Sequence, residues 1–227
     1  MKLTYVLDAA LAMRASFLRL RRNVAIGAIS IVLSGQIPSA YADPIKVVAF
    51  GDSLTAGYLL PQDRGFPAVL ERELKMRGRD IIVINGGVSG DTTADGLARL
   101  DWTIPEDTAA ILLELGANDM LRGLDPSIPR ANLRAMLMHL KSRKLPVFLM
   151  GMKAQRNLGP AYVTAFDSIY PDLATEFKVP LYGFFLEGVA GDPGLTLQDG
   201  LHPNAAGVQK IVSLTAPLVE EFLAKLP

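Results

Sequence analysis

A three-layer α/β/α sandwich around a parallel sheet is the fold class this sequence predicts, and three features predict it. Five short apolar runs are continuous rather than alternating, which marks strands buried on both faces. Longer stretches with helical apolar spacing separate them. Glycine and other turn formers close most of the runs, as at strand ends. Strand–helix alternation with right-handed crossovers stacks helices on both faces of one sheet. The chain has 227 residues, half of them hydrophobic, which suits a single domain with a full core.

The elements follow in order. Ile45–Phe50 is the first strand and ends at Gly51-Asp52-Ser53-Leu54. Phe66 to Arg77 carries Val69, Leu70 and Leu74 on one helical face. Ile81–Ile84 is a β-branched run closed by Asn85-Gly86-Gly87. Ala109–Leu115 is the third strand, closed by Gly116. Ser127 to Lys144 places Leu133, Met136, Leu137 and Leu140 at i, i+3, i+4 and i+7, with Pro129 early, where a helix tolerates it. Pro146–Met150 is the fourth strand and ends at Gly151. Tyr162 to Phe177 reads as one less regular helix, and Val179–Tyr182 as a short fifth strand. Gly183 to Gly200 is Gly-rich and is expected to form loops over a site. Asn204 to Leu226 is the last helix, with a kink expected at Pro217.

Residues 1–42 stand apart. Lys2, Arg14, Arg19, Arg21 and Arg22 face only Asp8, and the apolar stretch Val24–Leu33 follows. Ser39-Ala40-Tyr41-Ala42 then presents small residues in the A-x-A pattern of a signal-peptidase site. The apolar stretch is short of the roughly 20 residues that span a bilayer. The expectation is a signal peptide over 1–42, cleaved after Ala42. The remaining 43–227 would be a single periplasmic or secreted domain with no stable membrane anchor. That part holds 18 basic and 22 acidic residues, so no basic face for nucleic acid is suggested. The absence of cysteine excludes disulfides, thiolate nucleophiles and Cys-ligated zinc.

Ser53 stands just past the end of the first strand, where open α/β sheets place their ligands. A serine needs a base to act as a nucleophile at neutral pH. The chain has two histidines, and His202 lies three residues after Asp199. Gly200 and Pro203 favour a turn that folds Asp199 back onto the ring, where it would orient the imidazole. Acyl transfer also needs donors aimed at a developing oxyanion. Gly90, in the loop after the second strand, offers an unobstructed N–H, and Asn118, after the third, a neutral amide. The Ser53 N–H is the third candidate donor. No metal or organic cofactor is required by this chemistry.

Other residues read more simply. His139 falls off the apolar stripe of its helix and is expected at the surface. Asp52 and Asp119 are expected to organise loops by bonding backbone N–H groups. Met136, Met138, Met150 and Met152 read as core or boundary fillers. Phe184, Phe185 and Leu186 suit either core packing or an apolar ligand wall. Trp102 reads as packing.

Four segments together resemble a known family. Gly51-Asp52-Ser53-Leu54, Gly90 within Ser89-Gly90-Asp91-Thr92, Gly116-Ala117-Asn118-Asp119 and Asp199-Gly200-Leu201-His202-Pro203-Asn204 are similar, in order, to the four blocks of the GDSL, or SGNH, hydrolases. Ala56-Gly57-Tyr58, Gly96–Leu100 and Leu121-Arg122-Gly123 resemble the branch holding bacterial arylesterases and thioesterase I/lysophospholipase L1 enzymes. The resemblance implies a flavodoxin-like fold with a five-stranded parallel sheet. It implies Ser53 as nucleophile, His202 as base, Asp199 as its partner, and Gly90 and Asn118 as oxyanion donors. Ala117 departs from a second glycine in that branch, and Met120 stands where a small residue is expected. The expected activity is hydrolysis of small aryl or short-chain acyl esters, with thioesters possible as substrates. The alternatives are a lysophospholipase or acyl-CoA thioesterase for long chains, and a non-catalytic lipid- or glycan-binding module.

Overall fold

The computed structural model describes residues 43–226, so the leader expected over 1–42 lies outside the described residues. Five parallel strands form one sheet: β1 (Ile45–Gly51), β2 (Ile81–Gly87), β3 (Ala110–Glu114), β4 (Val147–Met150) and β5 (Leu181–Tyr182). Their spatial order is β2-β1-β3-β4-β5. The chain therefore leaves β1 in one direction and β3 in the other, and the reversal opens a crevice beyond their C-terminal ends. Register carries Gly51 beside Gly87 and Phe50 beside Leu113, so the loops after β1, β2 and β3 emerge on one edge.

β1 and β3 are buried almost throughout, as their unbroken apolar sequence requires. β5 has two residues rather than the four expected, because Pro180 has no N–H to give the ladder. The helices are α1 (Ser53–Ala56), α2 (Phe66–Met76), α3 (Thr93–Thr103), α4 (Ala117–Leu121), α5 (Ser127–Ser142), α6 (Pro160–Asp167), α7 (Ile169–Phe177) and α8 (Ala205–Leu223). α2 packs against α8, while α3 packs against α5 and α5 against α7. Leu133, Met136, Leu137 and Leu140 are the buried stripe of α5, as their spacing predicts.

Two local expectations are corrected. The single helix over Tyr162 to Phe177 is two, α6 and α7, divided at Ser168. Pro171 is the cause: it cannot donate to the Asp167 carbonyl, and its ring crowds that group. Arg130 fastens the break by donating to the Ser168 hydroxyl at 2.7 Å. Trp102 does not pack; it is 93% exposed. Leu100 faces the core, and two residues further on is about 200° around the helix. α8 runs through Pro217 to Leu223. Among the described residues, no helix is long and apolar enough to cross a membrane.

Candidate active site

The loop leaving β1 turns at once into α1. Asp52 is the N-cap of that helix, its Oδ1 accepting the Leu54 N–H at 3.0 Å. Ser53 is the first helical residue, and Gly57 closes the single turn in the left-handed conformation, at φ 81°. Gly51 is required for space. A Cβ there would lie 2.1 Å from Thr55 Oγ1 and 2.6 Å from Glu114 Oε2. The expectation that Asp52 and Asp119 bond backbone N–H groups holds: Asp119 accepts from Thr93 N at 2.8 Å.

The other half of the site comes from the segment before α8. Asp199 Oδ1 accepts the Leu201 and His202 backbone N–H groups at 2.9 and 3.0 Å, which wraps the chain around the carboxylate. Asp199 Oδ2 then meets His202 Nδ1 at 2.7 Å. Desolvation opposes ionisation of Asp199, but the two backbone N–H groups and the His202 ring outweigh it and pull its pKa down to about 2. Leu197 N–H donates to the His202 carbonyl at 2.7 Å, and Thr196 bridges Pro203. Asn204 ends the segment by capping α8 through Ala206 N and Gly207 N, while its Nδ2 donates to the Gly194 and Thr196 carbonyls.

Folding brings the two halves into contact. His202 Nε2 lies 2.8 Å from Ser53 Oγ, across 149 positions of sequence. The Tyr58 ring lies 4.4 Å from the imidazole, centroid to centroid. Gly90 stands at φ 91°, where a Cβ would meet nothing within 4 Å. Its loop is tied on both sides, since Val88 N–H donates to Gly51 O at 3.0 Å and Asn118 Nδ2 donates to Asp91 O at 2.9 Å. Asn118, in the first turn of α4, lines the same cavity as Ser53 and His202.

That cavity measures about 280 Å³. Leu54, Met120, Met152, Phe184 and Leu186 form its apolar wall. The three residues after β5 therefore divide: Phe185 is buried edge-on against Phe66, whereas Phe184 and Leu186 face the cavity. The Gly183–Gly200 segment contributes Ala190, Gly191 and Gly200 as further lining, as expected of loops over the site. His139 stays at the surface, 2.6 Å from Asp101 and away from the cavity.

Residues 49–210 match the model of the GDSL-like lipase/acylhydrolase family. The chain belongs to that family. An arylesterase of Vibrio mimicus is 38% identical over 198 residues, 87% of this chain and 95% of the relative. The Escherichia coli thioesterase 1/protease 1/lysophospholipase L1 is 39% identical over 188 residues, covering 82% of this chain and 84% of its own. Among solved structures, AlinE4, an SGNH-hydrolase family esterase, superposes with a TM-score of 0.68 at 45% identity, covering 79% of this chain and 97% of that one.

In this GDSL-family chain the structure adds residues that sequence reasoning missed. Arg99, on α3, donates to the Gly51 carbonyl at 2.8 Å and the Gly86 carbonyl at 2.9 Å, and pairs with Asp91 at 2.5 Å. Its guanidinium also lies over the Phe50 ring at 4.1 Å. Arg122 donates to the Gly90 carbonyl at 2.8 Å. Glu114 ends β3 fully buried and accepts from Thr55 Oγ1 at 2.9 Å. Its only sequence signal is a lone charge in a run otherwise buried on both faces.

Proposed function

We propose that the chain is a serine hydrolase of carboxylic esters in which Ser53 attacks the acyl carbonyl and His202 takes its proton. The observation that carries this reading is the continuous Asp199–His202–Ser53 chain, with heavy-atom separations of 2.7 and 2.8 Å at the mouth of an apolar cavity. Asp199 stays ionised, holds the Nδ1 proton and stabilises the imidazolium formed during attack. The Ser53 N–H, the Gly90 N–H and the Asn118 amide receive the oxyanion. The alcohol leaves with a proton from His202, and water activated by the same ring then releases the acid and regenerates Ser53. None of these steps calls on a metal or organic cofactor.

At about 280 Å³ the cavity lies just below the roughly 300–1,000 Å³ usual for small-ligand sites, which favours aryl and short acyl groups. Its thioether-lined wall also supports a second reading, longer acyl chains on thioesters or lysophospholipids, since methionine adapts to irregular apolar ligands. One panel separates these readings: p-nitrophenyl esters of increasing chain length, acyl-CoA and lysophospholipid, assayed on wild type and on Ser53→Ala. Turnover is expected to be highest for short esters and to fall by about 10⁶-fold in the variant. A fluorophosphonate probe should label wild type and spare the variant. Wild-type activity in purified, folded Ser53→Ala would overturn the assignment, and absence of labelling would favour the binding module.

The basic, apolar and small-residue order of 1–42 supports export of the mature domain to the periplasm or medium. Mass spectrometry of exported protein is expected to find Asp43 at the N-terminus; a retained leader would contradict this.

A further inference from the structure

Beneath the reactive serine lie two buried carboxyl groups that acyl transfer does not use. Asp52 and Glu114 are 0% and 1% exposed. Asp52 directly follows β1 and Glu114 ends β3, its neighbour in the sheet, at the point where the sheet order reverses. The Asp52 backbone N–H reaches Glu114 Oε2 at 3.4 Å, which brings the two residues into contact. Three of the four carboxyl oxygens already have donors. Asp52 Oδ1 accepts from Leu54 N at 3.0 Å, and Asp52 Oδ2 from Asn118 Nδ2 at 3.3 Å. Glu114 Oε2 accepts from Thr55 Oγ1 at 2.9 Å and, at 3.4 Å, from Asp52 N. Glu114 Oε1 is buried with no donor aimed at it.

A bare carboxylate lone pair in a dry interior is costly, and two adjacent carboxylates cost more. An O–H at Oε1 removes both costs, because it donates where an ionised oxygen would only repel. We propose that Glu114 holds a proton at neutral pH, donates it in a hydrogen bond to the Asp52 carboxylate, and thereby acts with Asp52 as a positioning pair for the Asn118 amide. The positioning role rests on the reading of Asn118 as an oxyanion donor. Asn118 gives one amide hydrogen to Asp91 O and the other, at the longer distance, to Asp52 Oδ2. An oxyanion must take that second hydrogen from Asp52. A hydrogen bond from Glu114 weakens the hold of Asp52 on it without releasing Asn118 from its place.

The surroundings favour retention of the proton. Asp119 from α4 and Asp91 from the loop after β2 add negative charge, and α7 presents only the neutral Tyr170 hydroxyl, which donates to Leu115 O. α1 contributes the uncharged Ser53 and Thr55. The nearby cation, Arg99 on α3, is engaged with Gly51 O, Gly86 O and Asp91. Burial raises the pKa of both acids, and the charge of Asp52 raises that of Glu114 further.

Infrared spectroscopy of the resting protein tests the proposal. At about pH 8, where ordinary carboxyl groups are ionised, wild type is expected to show a protonated-carboxyl C=O band that Glu114→Gln lacks. The band should persist in Asp52→Asn. Glu114→Gln, whose amide supplies the same donor, is expected to keep kcat within about threefold, whereas Glu114→Ala loses about tenfold or more in kcat with KM little changed. A wild type without the band, a band that survives in Glu114→Gln, or a band abolished in Asp52→Asn would overturn the proposal. Equal kcat losses in Glu114→Gln and Glu114→Ala would remove the positioning role. The spectrum needs no turnover, so it is decided separately from the assignment of Ser53.

Discussion

Gly51, Asp52 and Ser53 each answer a different physical demand within three positions. Gly51 leaves room for Thr55 and Glu114, Asp52 caps the helix that follows, and Ser53 points its hydroxyl at His202. The same division of labour holds around Asp199, one oxygen of which shapes the turn while the other meets the ring. Asp199→Asn therefore keeps an acceptor for the turn but loses the charge that, in the proposed mechanism, stabilises the imidazolium and selects its tautomer. Its kcat is expected to fall by about 10⁴-fold with the fold intact, as steady-state kinetics and circular dichroism together would show. The pKa of Asp199 is lowered in the folded state, so its stabilising contribution is complete above the ordinary aspartate value near 4 and is lost as pH falls toward about 2. Ser53, His202 and Asp199 were legible in sequence because few residues of those types coincide with strand ends and turns. Glu114 was not, because nothing in an apolar run says whether a terminal acid faces solvent or another acid.

At the scale of elements, Arg99 is the clasp of the site. From α3 it reaches carbonyls at the ends of β1 and β2, and the acid of the loop that carries Gly90. A planar fork can serve all three at once; an ammonium cannot. Arg99→Lys is expected to lower stability by about 1–3 kcal/mol and to reduce kcat more than it raises KM, read by urea denaturation and steady-state kinetics. Unchanged kinetics would show that the loop holds its shape without the clasp. The apolar spacing of α5 and the runs of β1 to β4 were legible because burial patterns are local in sequence. The break between α6 and α7 was legible only through Pro171, whose missing N–H outweighs the apolar spacing around it.

At the scale of the whole molecule, the order β2-β1-β3-β4-β5 puts the loops after β1 and β3 on opposite departures from one crevice, and α8 returns the chain so that His202 closes it. The cost of this arrangement is buried negative charge. Burial raises the pKa of Asp52 to about 7, and raises those of Glu114 and Asp119 as well. An acid with a raised folded pKa binds its proton more tightly when folded, so the stability it allows is greatest below about pH 4 and declines as pH climbs toward about 7. Glu114→Gln is expected to remove part of that decline. Urea midpoints of wild type and variant should diverge with rising pH over this window; parallel midpoints would show that the buried acids do not set the slope.

The amino-acid sequence by itself determined the alternation of strands and helices, the layered class they build, and the identities of the serine, histidine and aspartate that meet. Those properties follow from local burial patterns and from residue types that few positions share. Only the tertiary structure decided the strand order, the separation of 2.8 Å between Ser53 and His202, and the division of Phe184, Phe185 and Leu186 between cavity and core. It also decided the burial of Glu114 against Asp52. Each of these depends on which distant segments share one crevice, and packing between segments, rather than the chemistry of any one of them, sets that.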